Sequence, residues 1–409
     1  VYKRQAQESA VFDSLVITGA EAEAAGKIAG GVGVPALFNA HFAVGEMLSS
    51  LQTAVRQLPA NIDAILVMLG DQPLVEPVTI DQILAAYWQG KGEMSAMADW
   101  DEGHVWEKGL YLVMGKLFPL IGSPEKFELG LERAREYVHA GGLTTASDPG
   151  VNVPEEMIRQ MIYVLESGTM PFDYYLIPAG NSLYDLNDKD GDRAVAAARD
   201  QVERLQGERV RWLPDQVKLF TDGAVYSQLM QLKDGYLDGH EGEWIQAPEH
   251  FARSAWAFWK EGYQLSVHQN GDMGMELCLN TLEALLHRQP RYDHRFGIHH
   301  FAISELPHVE RAAELGAIIS SNPFYIHVLG EQYSKVGVGP ERSEVMARGR
   351  SVLDQGARLS FHSDAPMAPA RPMMLVWAAV NRIGLSGETV LGPEERIETK
   401  EAFQAVTLE

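Results

Sequence analysis

Beyond residue 102 the chain alternates short apolar runs with stretches whose apolar residues recur at helical spacing. The runs are Leu143–Ser147, Tyr174–Pro178, Val217–Thr221, Leu265–His268, Phe296–His300, Ala317–Ser321 and Leu359–Ser363. Strands alternating with amphipathic helices are the grammar of parallel βα units, and seven of them predict a (β/α)₈ barrel one strand short. The first 88 residues carry a separate α/β pattern. Val11–Thr18 is rich in β-branched residues and predicts a strand, and Gly26–Pro35 is a turn region. Val44, Met47, Leu48, Leu51, Val55 and Leu58 predict a helix over Ala43–Leu58. Ile62–Leu69 is continuously apolar, as buried parallel strands are, and ends in Gly70-Asp71-Gln72-Pro73 before a helix from Thr79 to Tyr87. Gln89–Trp100 has no clear period. The expected organisation is therefore 1–88, a junction at 89–102, and 103–409.

Composition narrows the partners. The formal charge is −22, which argues against nucleic acid and anionic membranes, since both reward Lys and Arg. A small-molecule substrate is the expectation. The single cysteine, Cys278, forms no internal disulfide, and no run of 18 apolar residues exists to span a membrane. Residues 1–12 lack the apolar core of a signal peptide, so a cytoplasmic location is expected.

Candidate chemistry gathers at predicted strand ends. Ten of the 13 histidines fall between His240 and His362. His268 and His300 close successive strands, Asp364 closes a third, and Lys218 lies on the strand before His268. A barrel brings its C-terminal strand ends to one mouth, where two imidazoles and a carboxylate form a donor set for zinc or a similar ion. Such an ion brings bound water near neutral pKa, and Asp364 is placed to pass its proton to a leaving group. A buried Lys218 loses its charge readily and, as an amine, accepts CO₂ to become a carbamate ligand. Strand alternation turns His299 to the face opposite His300, a structural position. His287 and His294 fall at a helix end or loop, where solvation is expected.

These residues stand within blocks that resemble the amidohydrolase superfamily, specifically its amidohydrolase-3 (YtcJ-like) branch, over about residues 103–409. The blocks are Gly103-His104-Val105-Trp106-Glu107, Gly141-Gly142-Leu143-Thr144-Thr145, Lys218 through Gly223, His268-Gln269-Asn270-Gly271-Asp272, Ile298-His299-His300, His362 through Pro369, and Trp377 through Arg382. The resemblance implies that His268 and His300 are metal ligands and that Asp364 is both ligand and proton shuttle. It implies a bridging, carbamylated position for Lys218, and a substrate-pocket segment at His104 and Trp106. The implied reaction is hydrolysis of C–N bonds other than peptide bonds by metal-bound hydroxide, with zinc, manganese or iron. One departure is plain: the family's first-strand His-x-His is absent from this chain.

Asn39–Leu58 with Gly45-Glu46-Met47, followed by Val67 through Val75, resembles the C-terminal half of a MobA-like nucleotidyltransferase. The resemblance implies a Rossmann-like segment in which Asp71 binds Mg²⁺ beside the phosphates of CTP or GTP. A Gly-rich phosphate loop of the Leu-Ala-Ala-Gly type does not precede residue 39. The fold class expected for the whole is α/β, an incomplete (β/α)₈ TIM-type barrel preceded by a partial Rossmann-like segment. Two enzymes lacking their first catalytic loops, joined in a chain that opens on Val1, lead to the expectation of a chimeric or fragmentary reading frame, with an inactive remnant as the alternative to a working hydrolase.

Overall fold

A computed structural model describes residues 123–407 continuously. Before them it describes Val16–Thr18, Ala36–Phe38, Ala98–Asp99, His104–Val105 and residues 23, 27, 31 and 35. The chain divides into two compact units, Val1–Lys126 and Phe127–Glu409. In the first, β1 (Val16–Thr18) pairs in parallel with β2 (Ala36–Phe38), and β3 (Ala98–Asp99) pairs antiparallel with β4 (His104–Val105). The expected Ala43–Leu58 helix, Ile62–Leu69 strand and Thr79–Tyr87 helix lie outside the described residues, as do Asp71 and Trp106.

All seven expected barrel strands are present in the second unit. They are β5 (Thr145–Val151), β6 (Asp173–Pro178), β8 (Gln216–Phe220), β9 (Gln264–Gln269), β10 (Gly297–His300), β11 (Ile318–Ser321) and β12 (Arg358–Phe361). The pattern missed β7 (Val210–Trp212), a three-residue strand with an arginine at its centre. All pair in parallel, in the orders β5-β6-β7 and β8-β9-β10-β11-β12, and a bridge between Ala179 and Lys218 joins the two sheets. Among the described residues the barrel does not close: β5 and β12 are its ends. No helix among them is long and apolar enough to cross a membrane.

Helices cover the outside. They include α1 (Pro124–Ala140), α2 (Glu155–Glu166), α3 (Gly180–Leu186), α4 (Gly191–Arg204), α5 (Pro248–Trp259) and α6 (Asp272–Arg288). After them come α7 (Leu306–Glu314), α8 (Phe324–Gln332), α9 (Pro340–Glu344), α10 (Gly349–Asp354), α11 (Pro372–Asn381) and α12 (Thr399–Ala405). Local rules set their ends: the Asp190 carboxylate caps α4 by accepting from the amides of Asp192 and Arg193 at 3.0 and 3.1 Å. Apolar side chains recur at turn spacing on α2, where Ile158, Met161, Val164 and Leu165 are buried. The largest core lies between sheet and helices, where Val217, Leu219, Leu265, Val267, Ile298, Ile319 and Leu359 meet Phe251, Phe258, Leu279, Leu282, Val309 and Val352. Those strand residues are alternate ones, so the other parity, with Lys218, Ser266 and His268, faces the barrel interior.

Candidate active site

Parallel register stacks the inward side chains side by side. Phe220 lies beside His268, His268 beside His299, and His299 beside Ser320. His299 therefore shares a face with Lys218 and His268, and its Nδ1 is 2.9 Å from Lys218 Nζ. This corrects the expectation that His299 points away from the site. It is His300 that alternation alone directs toward the helices. A φ of +76° at His300, followed by +54° at Phe301, ends the pleat and swings the His300 ring back into the mouth. Its centroid lies 4.5 Å from that of His268.

His362 completes the cluster. Its Nε2 is 2.9 Å from His300 Nδ1, and its Nδ1 is 3.0 Å from Ser320 Oγ. Sequence reasoning left His362 unassigned, although the strand period that ends at Asp364 puts both on one face. β12 stops at Phe361, so Asp364 sits past the strand end, at a φ of +54°. Its Oδ2 is 3.7 Å from His300 Nδ1, and its side chain is 41% exposed. Tyr325, on α8, brings its hydroxyl to 3.4 Å from the same His300 nitrogen.

The electrostatics follow from burial. Desolvation, aided by the Lys218 charge, holds the imidazoles of His268 and His362 down to about 3. His299 and His300 are held well below the ordinary imidazole value, first by burial and then by the competition of the Lys218 amine and the neighbouring imidazoles for a proton. All four rings are neutral at physiological pH, which is the ligating form, and the His300–Asp364 contact is not an ion pair. Burial lowers the Lys218 amine to about 7, against the pull of Asp364. The Asp364 carboxyl is raised by the protein mass around it and by Asp148, and lowered by Lys218. Asp148, on β5, accepts from the Tyr174 hydroxyl at 3.1 Å, and burial raises its carboxyl too.

Asp222, just past β8, is fully buried and ties down the segment after His268. Its carboxylate accepts from the backbone amides of Asn270 (3.1 Å), Gly271 (2.6 Å) and Gln231 (3.0 Å), and from the Thr221 hydroxyl (2.9 Å). Burial pushes it up to about 6 against those four bonds.

The structure thus gathers Lys218, His268, His300 and Asp364 at one mouth, and adds His299 and His362. His104 lies on β4 of the first unit, with its side chain outside the described residues, as are Trp106 and Asp71. His287 is exposed as expected, but His294 is not solvated. It is 4% exposed, its Nδ1 accepts from the Phe296 amide, and its Nε2 donates to the Leu315 carbonyl. In donor type, neutral imidazoles beside a carboxylate and a half-neutral amine fit a divalent ion. In arrangement the donors meet in pairs: among the described residues no three His, Cys, Asp or Glu side chains are set to hold an ion as they stand.

Residues 4–148 match the MobA-like NTP transferase domain. An N-substituted formamide deformylase of Arthrobacter pascens is 27% identical over 287 residues, 68% of this chain and 51% of that protein. The putative amidohydrolase YtcJ of Bacillus subtilis is 26% identical over 187 residues, 45% of this chain and 34% of its own length. The chain spans about half, or less, of the length of these curated relatives. In fold it is similar to an uncharacterized metal-dependent hydrolase from Pyrococcus horikoshii, with a TM-score of 0.59 and 24% identity over 76% of this chain and 60% of that one. A Pyrococcus furiosus counterpart gives 0.58 and 22%, over 81% and 63%. Residues 92–409, most of the sequence, match the amidohydrolase family, and the chain belongs to it.

Proposed function

We propose that this protein hydrolyses C–N bonds of amide-type small molecules with the help of a divalent ion held by His268, His300, Asp364 and Lys218. Zinc heads the candidates, with manganese and iron behind it. The observation that carries the proposal is the meeting of these four residues, from three strands and the loop past β12, at one barrel mouth. When bound, the ion supplies Lewis-acid polarisation of a carbonyl and acidification of water.

The chain's own groups supply the rest. His268 and His300 present neutral nitrogens because burial removes their protons. Lys218, lowered to about 7, is partly an amine at neutral pH, and His299 fixes its nitrogen at 2.9 Å. Asp364 has a raised carboxyl and an open flank, so it takes a proton within the mouth and returns it to the leaving nitrogen. The A. pascens relative is named for N-substituted formamides, so these head the substrate screen with N-acyl amines. Turnover is expected in the metal-loaded wild type, reduced about 10²- to 10⁴-fold in Asp364→Asn. A loaded, folded wild type that cleaves neither class contradicts the proposal.

The match over residues 4–148 favours a second, separate reading: Mg²⁺-dependent handling of CTP or GTP around Asp71. Calorimetric titration with either nucleotide in the presence of Mg²⁺ tests it: binding heat is expected on this reading, and its absence contradicts it.

A further inference from the structure

We propose that Asp222 is the positioning residue of His268: its carboxylate clasps the backbone that follows the imidazole and so fixes where the ring points. The clasp is dense. Oδ1 accepts from the Asn270 amide and the Thr221 hydroxyl, and Oδ2 accepts from the Gly271 and Gln231 amides. One carboxylate thus joins the end of β8, the loop through Gln231 and the end of β9. Thr221 strengthens the join: its amide donates to the His268 carbonyl at 3.1 Å, and its single hydroxyl hydrogen is shared between that carbonyl at 2.7 Å and Asp222 Oδ1 at 2.9 Å.

The link from clasp to ring is short. Asn270, whose backbone Asp222 holds, brings its side-chain nitrogen to 3.0 Å from His268 Nε2. The packing admits little slack: a Cβ on Gly274 meets Asp222 Oδ1 at 2.4 Å, and one on Gly271 meets the Gln231 carbonyl oxygen at 2.1 Å. An acid fits here for a chemical reason. Four donors converge on two oxygens, and only a carboxylate offers acceptors alone; an asparagine turns an NH₂ group against amides that themselves donate. Outer partners of this kind set the orientation of ligating imidazoles, and their loss weakens metal binding about 10- to 100-fold.

The consequence for metal binding rests on the proposed function; the placement of the ring does not. The test therefore reads the ring first. Protein labelled with ¹⁵N-histidine is examined by long-range ¹H–¹⁵N correlation in wild type, Asp222→Asn and Thr221→Val, with His268→Gln assigning the His268 signals. Those signals are expected to shift or broaden in both variants, more in Asp222→Asn, while His294, held by Leu315 and Phe296, stays in place. Titration with Zn²⁺ alone is expected to show affinity lowered about 10- to 100-fold in Asp222→Asn. His268 signals unchanged in the folded variants overturn the proposal. Should Asp222→Asn fail to fold, Thr221→Val, which keeps a β-branched side chain on its strand end, decides by the same readout. A wild type that binds no Zn²⁺ but shows the shifts defeats the hydrolase reading and leaves the clasp standing.

Discussion

The two faces of the β8–β12 sheet make opposite use of the same strands. The outward parity, Val217, Leu219, Leu265, Val267, Ile298, Ile319 and Leu359, is apolar, buried and packed on helices. The inward parity is polar apart from Phe220: Lys218, Ser266, His268, His299, Ser320 and His362 lie on it, bonded ring to amine and ring to hydroxyl. One face stabilises the barrel through area removed from water. The other buries groups that water would hold better, and it stays together because each finds a partner. The lesson is that stability and chemistry are separable here by a shift of one residue along a strand.

The largest test attacks the outward face. Leu265→Ala leaves a cavity in the core between sheet and helices and is expected to cost about 2–5 kcal/mol in urea unfolding. The folded fraction should keep the chemistry of the mouth. A loss as small as that of a surface mutation contradicts the assignment of this face to the core. A smaller effect comes from the inward face. His299→Phe fills the space but removes the acceptor beside the buried Lys218 amine, and about 1–3 kcal/mol is expected for the unpartnered group. Equal stability of variant and wild type means that the Lys218–His299 bond does not form.

The smallest effect sharpens the border between the faces. His294 lies before β10, tilted against Trp259 with ring centroids 5.6 Å apart, and burial lowers its pKa below 6.5. Its folded-state value being depressed, the unfolded chain takes up a proton first. Its contribution is complete above pH 6.5 and declines as pH falls below that value, by at most about 1.4 kcal/mol per pH unit. His294→Phe should flatten that part of the stability–pH curve; an identical slope in the variant places the titration elsewhere.

Much of this was legible in the sequence because the outward face is so regular. Seven apolar runs became seven strands, and Lys218, His268, His300 and Asp364 met at one mouth as barrel geometry requires. What escaped has physical causes. β7 is too short to show a period. His299 joined the mouth because the strand register places it beside His268, while a positive φ at His300, which no spacing announces, kept the His300 ring there as well. His294, followed by Arg295 and lying near a helix end, read as solvated; the carbonyl of Leu315 and the amide of Phe296 made its burial tolerable. Asp222 was visible only as part of a block, since nothing in the sequence shows that three distant amides converge on it.

The mouth residues of β8, β9, β10 and the loop past β12 are proposed to share one cation. Elemental analysis of purified wild-type protein beside His268→Ala/His300→Ala tests this most directly. A stoichiometric divalent ion is expected in the wild type and none in the double variant, with both proteins folded by circular dichroism. A wild type free of zinc, manganese and iron, or a double variant that retains the ion, contradicts it.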